Sequence, residues 1–139
     1  MNQIAKLLHT ARTETTGDRD NGASRSSDGL LDIRLSTPGS ARIGTNPEQL
    51  FAAAWSASFA SAIALASRER ELSLPAKVRI DAEVDLNLGE YGYLLSARFS
   101  VSIPGLASHV AKDLVDEAGE LCPYSKATRG NVEVTVTLI

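Results

Sequence analysis

The sequence predicts an α+β fold. Three segments alternate apolar and polar residues with period two, and two others carry helix signals. In chain order the elements run strands, helix, two strands, helix, strand. One strand is assigned to residues 3–13. A weaker one covers Leu31 to Leu35, after the turn signal Ser27-Asp28-Gly29. The stretch from Thr16 to Ser27 is polar and contains glycine, so it reads as a loop.

The first helix opens with Asn46 as N-cap, Pro47 at the first helical position and Glu48 in the first turn. Gln49 sits where a capping box wants it. The helix runs to about Glu71. From Leu50 to Ala66 it is apolar or small on every face, the pattern of a helix buried all round. Its length of about 39 Å exceeds what one small domain covers, so a second subunit is expected over it.

Two alternating segments follow. Val78, Ile80, Ala82, Val84, Leu86 and Leu88 form the apolar face of the first; Tyr93, Leu95, Ala97, Phe99, Val101 and Ile103 form that of the second. Gly89-Glu90-Tyr91-Gly92 between them reads as a hairpin turn. The second helix spans Ala107 to Leu121, with Val110, Leu114, Ala118 and Leu121 on one stripe. Pro123 stops it and leaves Cys122 at its C-terminal end. Val132, Val134, Val136 and Leu138 alternate in the last strand. One polar face on each strand predicts antiparallel pairing.

Composition narrows the function classes. The 139 residues predict one domain, 1–139. Net charge is −3 with no basic face, which argues against nucleic acid as a partner. The Ala-rich stretch is broken by Trp55, Ser56, Ser58 and Ser61, so no membrane span is expected. The N-terminus carries no signal pattern, and one cysteine forms no internal disulfide, so a cytoplasmic location is expected. Two histidines and one cysteine are scattered, so no metal site and no cofactor are expected.

Two segments carry the chemistry: Thr45 to Phe59, TNPEQLFAAAWSASF, and Cys122 to Asn131, CPYSKATRGN. With TGDRD, SSDGLLDIRLSTP and the hairpin ending in Ile103-Pro104-Gly105, they resemble the organic hydroperoxide resistance proteins of the OsmC/Ohr family, in order and spacing. The resemblance implies an interlocked homodimer whose antiparallel sheets wrap long central helices. It also implies a thiol peroxidase that reduces an organic hydroperoxide, lipid-like or aryl, to its alcohol. Two cysteines would do this: one becomes a sulfenic acid and the other condenses with it as a disulfide. A lipoylated protein or dihydrolipoamide would then reduce the disulfide.

Carried over residue by residue, Cys122 is the resolving cysteine. The peroxidatic position falls on Ser58. Arg19, in Gly17-Asp18-Arg19-Asp20, and Glu48 take the roles of the arginine that lowers the thiolate pKa and the glutamate that holds it. Phe51 and Trp55 help line the apolar substrate pocket. Glu48 and position 58 are ten residues apart, about 15 Å along a helix, so an antiparallel partner helix is needed to bring them together at a dimer interface. Taken alone, each residue has a plainer role: Ser58 in close helix packing, Cys122 as a small buried hydrophobe, Arg19 as a solvated loop charge, Glu48 as a first-turn acid.

Ser58 has two readings, a deliberate Cys-to-Ser replacement or a natural paralogue that lost the reaction. The family commonly has Gly-Tyr where Ala54-Trp55 stand, His where Gly119 stands and Asn where Lys126 stands. The chain is thus expected to be a member of an oxidative-stress enzyme family, disabled as written. The alternative is a non-catalytic paralogue that binds an apolar ligand at the dimer interface.

Overall fold

The structure, a computed structural model, describes residues 4–139. It has two compact units, one up to Pro47 and one from Glu48 to Ile139.

The first unit is a three-stranded antiparallel meander of β1 (Thr13–Thr16), β2 (Ala23–Ser26) and β3 (Asp32–Arg34). Of the strand expected over residues 3–13, residue 3 lies outside the described residues and residues 4–12 form none; pairing starts at Thr13. The stretch read as a loop holds β2. Its residues, Ala-Ser-Arg-Ser, show no hydrophobic alternation, and pairing on both sides makes it a strand. A tight turn drives that pairing. The Asp18 carboxylate accepts the amides of Asp20 and Asn21, and the Gly22 amide donates to the Asp18 carbonyl. A Cβ at Gly22 would collide with the carbonyls of Thr16 and Asp18, so only glycine closes this turn.

The second unit begins with α1 (Pro47–Glu69). The helix ends two residues short of Glu71. Leu72 N–H donates to the Ser67 carbonyl and Glu71 N–H to the Arg68 carbonyl, a Schellman closure with Glu71 left-handed at φ 57°. β4 (Arg79–Gly89) and β5 (Gly92–Ser102) form the expected hairpin, antiparallel from Arg79↔Ser102 to Gly89↔Gly92. α2 (Ser108–Leu121) and β6 (Glu133–Leu138) follow as read. Pro123 does not only stop α2. It opens a short helix, α3 (Pro123–Thr128), because a proline at the first helical position loses no hydrogen bond.

One pairing is corrected. β6 runs parallel to β5, from Ser96↔Glu133 to Val101↔Leu138, giving a mixed sheet in the order β4-β5-β6. The helices α2 and α3 form the crossover that a parallel pair requires.

The core joins one side of α1 (Trp55, Phe59, Ile63, Ala66) to Phe99, Val101, Leu114 and Cys122. The expectation that α1 is buried all round holds on that side only; within the chain Ala53, Ala57, Ser61 and Leu65, spaced by four, are exposed. By length and composition alone α1 could cross a membrane, a profile that buried core helices share. Near the hairpin turn the sheet's apolar face also lies open, with Leu88 75% and Tyr93 76% exposed.

Candidate functional site

The site is built where α1 passes the α2–α3 joint. Cys122 is that joint: its N–H donates to the Ala118 carbonyl to close α2, and its carbonyl accepts the Lys126 N–H to open α3. Its extended backbone, φ −65° and ψ 121°, turns the chain between the two helices. The side chain is fully buried, and its thiol donates to the Ser58 Oγ at 3.6 Å. Two residues 64 apart in sequence thus face each other across an α1–α3 seam.

A second tie holds that seam. Trp55 is 1% exposed, and its indole N–H donates to the Ser125 Oγ at 3.1 Å. Phe51 stacks on Trp55 at 5.2 Å between centroids and faces Tyr124 at 6.4 Å. Phe99 meets the Trp55 edge at 4.9 Å. Ser125 was not singled out in the sequence. The signal for a partner was there, because a buried tryptophan requires an acceptor for its N–H, but a residue 70 positions away cannot be picked from spacing.

Ser58 also opens to one side. An open groove of about 290 Å3 runs along α1 past Ser58, Ser61, Ala62, Leu65 and Arg68, bordered by Leu121 and Pro123. Trp55 borders a larger one of about 490 Å3, together with Phe99, Gly119, Ser125 and Val134. A Cβ at Gly119 would meet nothing within 4 Å, so the missing side chain leaves open space there.

The structure therefore brings together Ser58 and Cys122, with Trp55 and Phe51 beside them on α1. Glu48 lies in the first turn of the same helix, ten residues from Ser58, and is half-buried. Arg19 is half-buried in the turn between β1 and β2, in the other unit. Among the described residues no group of three or more His, Cys, Asp or Glu is placed to hold a metal ion.

Chemically, the pair is a hydroxyl facing a thiol. A thiol in the place of Ser58 would complete a dithiol able to cycle through a disulfide, with a small movement to bring the sulfurs into bonding distance.

Known proteins resemble this chain over nearly its whole length. The model for OsmC-like protein matches residues 37–137, across the division between the two units. The organic hydroperoxide resistance protein of Xanthomonas axonopodis pv. citri is 42% identical over 137 residues, which is 96% of both chains. OhrA of Bacillus subtilis is 36% identical over 138 residues, covering 96% of this chain and 97% of that protein. Among solved structures, OhrB of Bacillus subtilis superposes with a TM-score of 0.89 at 38% identity, covering 96% of this chain and all of the other. An organic hydroperoxide resistance protein of Elizabethkingia anophelis gives 0.88 at 36% identity, covering 96% and 98%.

Proposed function

We propose a function on one premise: the chain belongs to the OsmC-like protein family, among the organic hydroperoxide resistance proteins. Its scaffold serves defence against organic hydroperoxides, and it is silent as written because Ser58 holds the peroxidatic position. The observation that carries this reading is the 3.6 Å approach of the Cys122 thiol to the Ser58 hydroxyl.

With a cysteine at 58 the cycle balances. The thiolate attacks the distal peroxide oxygen, the O–O bond breaks, the alcohol leaves after taking a proton, and the sulfur is oxidised to a sulfenic acid. Cys122 then attacks that sulfur and water leaves. A dihydrolipoyl group, on a protein or free, returns both thiols and takes the disulfide. A serine hydroxyl cannot enter the cycle, because it is not ionised near neutral pH and forms no reducible product. Arg19, held by Glu48, stabilises the thiolate, and Phe51 and Trp55 supply the apolar surroundings that suit a lipid-like or aryl hydroperoxide.

The working unit is a homodimer in the cytoplasm. The bare ridge of Ala53, Ala57, Ser61 and Leu65 supports this, as does the open apolar face at Leu88 and Tyr93. In an antiparallel pair of α1 helices, Glu48 of one protomer approaches position 58 of its partner.

A second reading is favoured by the groove beside Ser58, which stays open without the reactive thiol: the chain binds an apolar ligand at the dimer interface and does no chemistry. One experiment separates the two. Consumption of cumene hydroperoxide with dihydrolipoamide is followed for the chain as it stands and for Ser58→Cys. The peroxidase reading expects turnover only in the variant. Turnover by the serine form, or a silent cysteine form, sinks it.

A further inference from the structure

Packing alone holds α3 lightly. The helix is six residues long, and Thr128 is its one buried residue. Its flanking residues, Cys122 and Arg129, have extended rather than helical ψ, 121° and 129°. Open space borders it at Pro123, and again at Ser125 and Thr128. Hydrogen bonds fasten its two ends. At the far end the Arg129 guanidinium donates to the Gly119 carbonyl at 2.7 Å and pairs with Glu120 at 3.4 Å, which ties α3 to α2. At the near end the tie is to α1, through the Trp55 N–H and the Ser125 Oγ at 3.1 Å. Trp55 and Ser58 are three residues apart, and so are Cys122 and Ser125. The seam therefore has two neighbouring rungs that run in opposite directions, Trp55 with Ser125 and Ser58 with Cys122.

We infer that Ser125 is a positioning residue: by accepting the Trp55 N–H it fixes the register of the seam, and so sets how readily the Cys122 sulfur bonds to a sulfur at position 58. A disulfide brings its sulfurs to about 2.05 Å, against 3.6 Å between the Cys122 thiol and the Ser58 Oγ. Side-chain rotation and the extended joint at Cys122 supply that last approach. The outer rung supplies restriction. With it in place, Cys122 samples few positions away from residue 58. Without it, α3 pivots on its two joints and ring closure gives up more freedom. The rung is persistent, because Trp55 is 1% exposed and an indole N–H buried without an acceptor is costly. The step it governs is the second of the proposed cycle. Cys122 attacks the sulfenic sulfur at position 58, the S–S bond forms, the S–O bond breaks, and hydroxide leaves with the thiol proton as water. Ser125 acts through Trp55 and the α3 turn, not on the sulfurs.

This inference rests on the reading that position 58 is the peroxidatic position, but its test runs without peroxide. Ser58→Cys, with and without Ser125→Ala, is equilibrated in mixtures of reduced and oxidised dithiothreitol, and the disulfide between positions 58 and 122 is followed by thiol counting. Ser125→Ala should lower the equilibrium constant for that disulfide about three- to five-fold, within what one net hydrogen bond supplies. Ser125→Thr keeps a hydroxyl and should restore most of it. Trp55→Phe should reproduce the loss, and combining it with Ser125→Ala should add nothing, as expected for the two ends of one bond. An unchanged or raised constant in Ser125→Ala, additive losses, or no disulfide at all in Ser58→Cys would overturn the inference. In the chain as it stands, alkylation of Cys122 by N-ethylmaleimide should quicken by a similar factor in Ser125→Ala and slow again in Ser125→Thr; an unchanged rate in Ser125→Ala would equally overturn it. A Ser58→Cys protein that ignores hydroperoxides but whose disulfide depends on Ser125 would support the positioning role and remove only the peroxidase reading. An active one indifferent to Ser125 would do the reverse.

Discussion

In the proposed reading, one atom at position 58 decides what chemistry is open to Cys122. The Ser58 hydroxyl accepts a hydrogen bond from the thiol at 3.6 Å; in the proposed cycle a cysteine there would first give electrons to the peroxide, and Cys122 would attack the resulting sulfenic sulfur. The arginine assigned to this chemistry can be tested in the reactivated background: Arg19→Ala in Ser58→Cys should lower peroxidase kcat/KM by ten-fold or more, with an unchanged circular dichroism spectrum. An unchanged rate would return Arg19 to the surface. A different arginine sets the charge state of the exposed sheet face. Arg98 donates to both Asp85 oxygens, at 2.6 and 2.9 Å, and Ser96 adds a third bond at 2.9 Å. These bonds, Arg98 first, bring the Asp85 pKa from its ordinary 3.8 down to about 2. A depressed carboxylate stabilises the fold above the unfolded value and loses that contribution as pH falls through about 2. A carboxyl-carbon NMR titration should show Asp85 ionised at pH 3, and Arg98→Ala should move its midpoint back toward the ordinary value.

The elements differ in how plainly the sequence announced them. α1 was legible because Asn46-Pro47-Glu48 starts it and seventeen apolar or small residues follow, Leu50 to Ala66. The β4–β5 hairpin was legible because period-two alternation runs through both arms. β1 and β2 were not: four residues each, largely polar, they exist through pairing and the Asp18–Gly22 turn, which no window of hydrophobicity detects. The parallel placement of β6 was implicit in the strand–helix–strand order, since a crossover returns the chain to the same end of the sheet, but alternation alone says nothing of direction. The site divides in the same way: motif order drew attention to Ser58 and Cys122, whereas the Trp55–Ser125 tie emerges only when distant segments meet. At the end of α1, the Schellman closure places Glu71 where glycine is favoured. Relief of about 1–2 kcal/mol of left-handed strain, less the extra entropy glycine loses on folding, about 0.5–1 kcal/mol, gives a net gain of up to about 1.5 kcal/mol. Urea unfolding of Glu71→Gly should show the midpoint raised; a lowered midpoint would mean that the side chain makes a compensating contact.

For the whole molecule, the exposed apolar surface supports the proposed homodimer. One ridge of α1, Ala53, Ala57, Ser61 and Leu65, is exposed in the single chain, and the hairpin carries its apolar face beyond the core to Leu88 and Tyr93. Light scattering at micromolar concentration should give twice the 14.8 kDa chain mass. Ala57→Glu, on the bare ridge, should reduce it toward one chain, because a carboxylate placed in a closely packed helix seam is buried without a counter-ion. A folded monomer of the unaltered chain would overturn the dimer and, with it, any meeting of Glu48 and position 58 across two protomers. Trp55 gives the molecule one further property. It is the one indole in the chain, enclosed by Phe51 and Phe99 and tied to the helix that Cys122 begins. Its near-ultraviolet emission should therefore be blue-shifted in the resting state and should move to the red whenever α3 swings away from α1. The scaffold carries its own optical gauge of the seam, readable in a cuvette without any label.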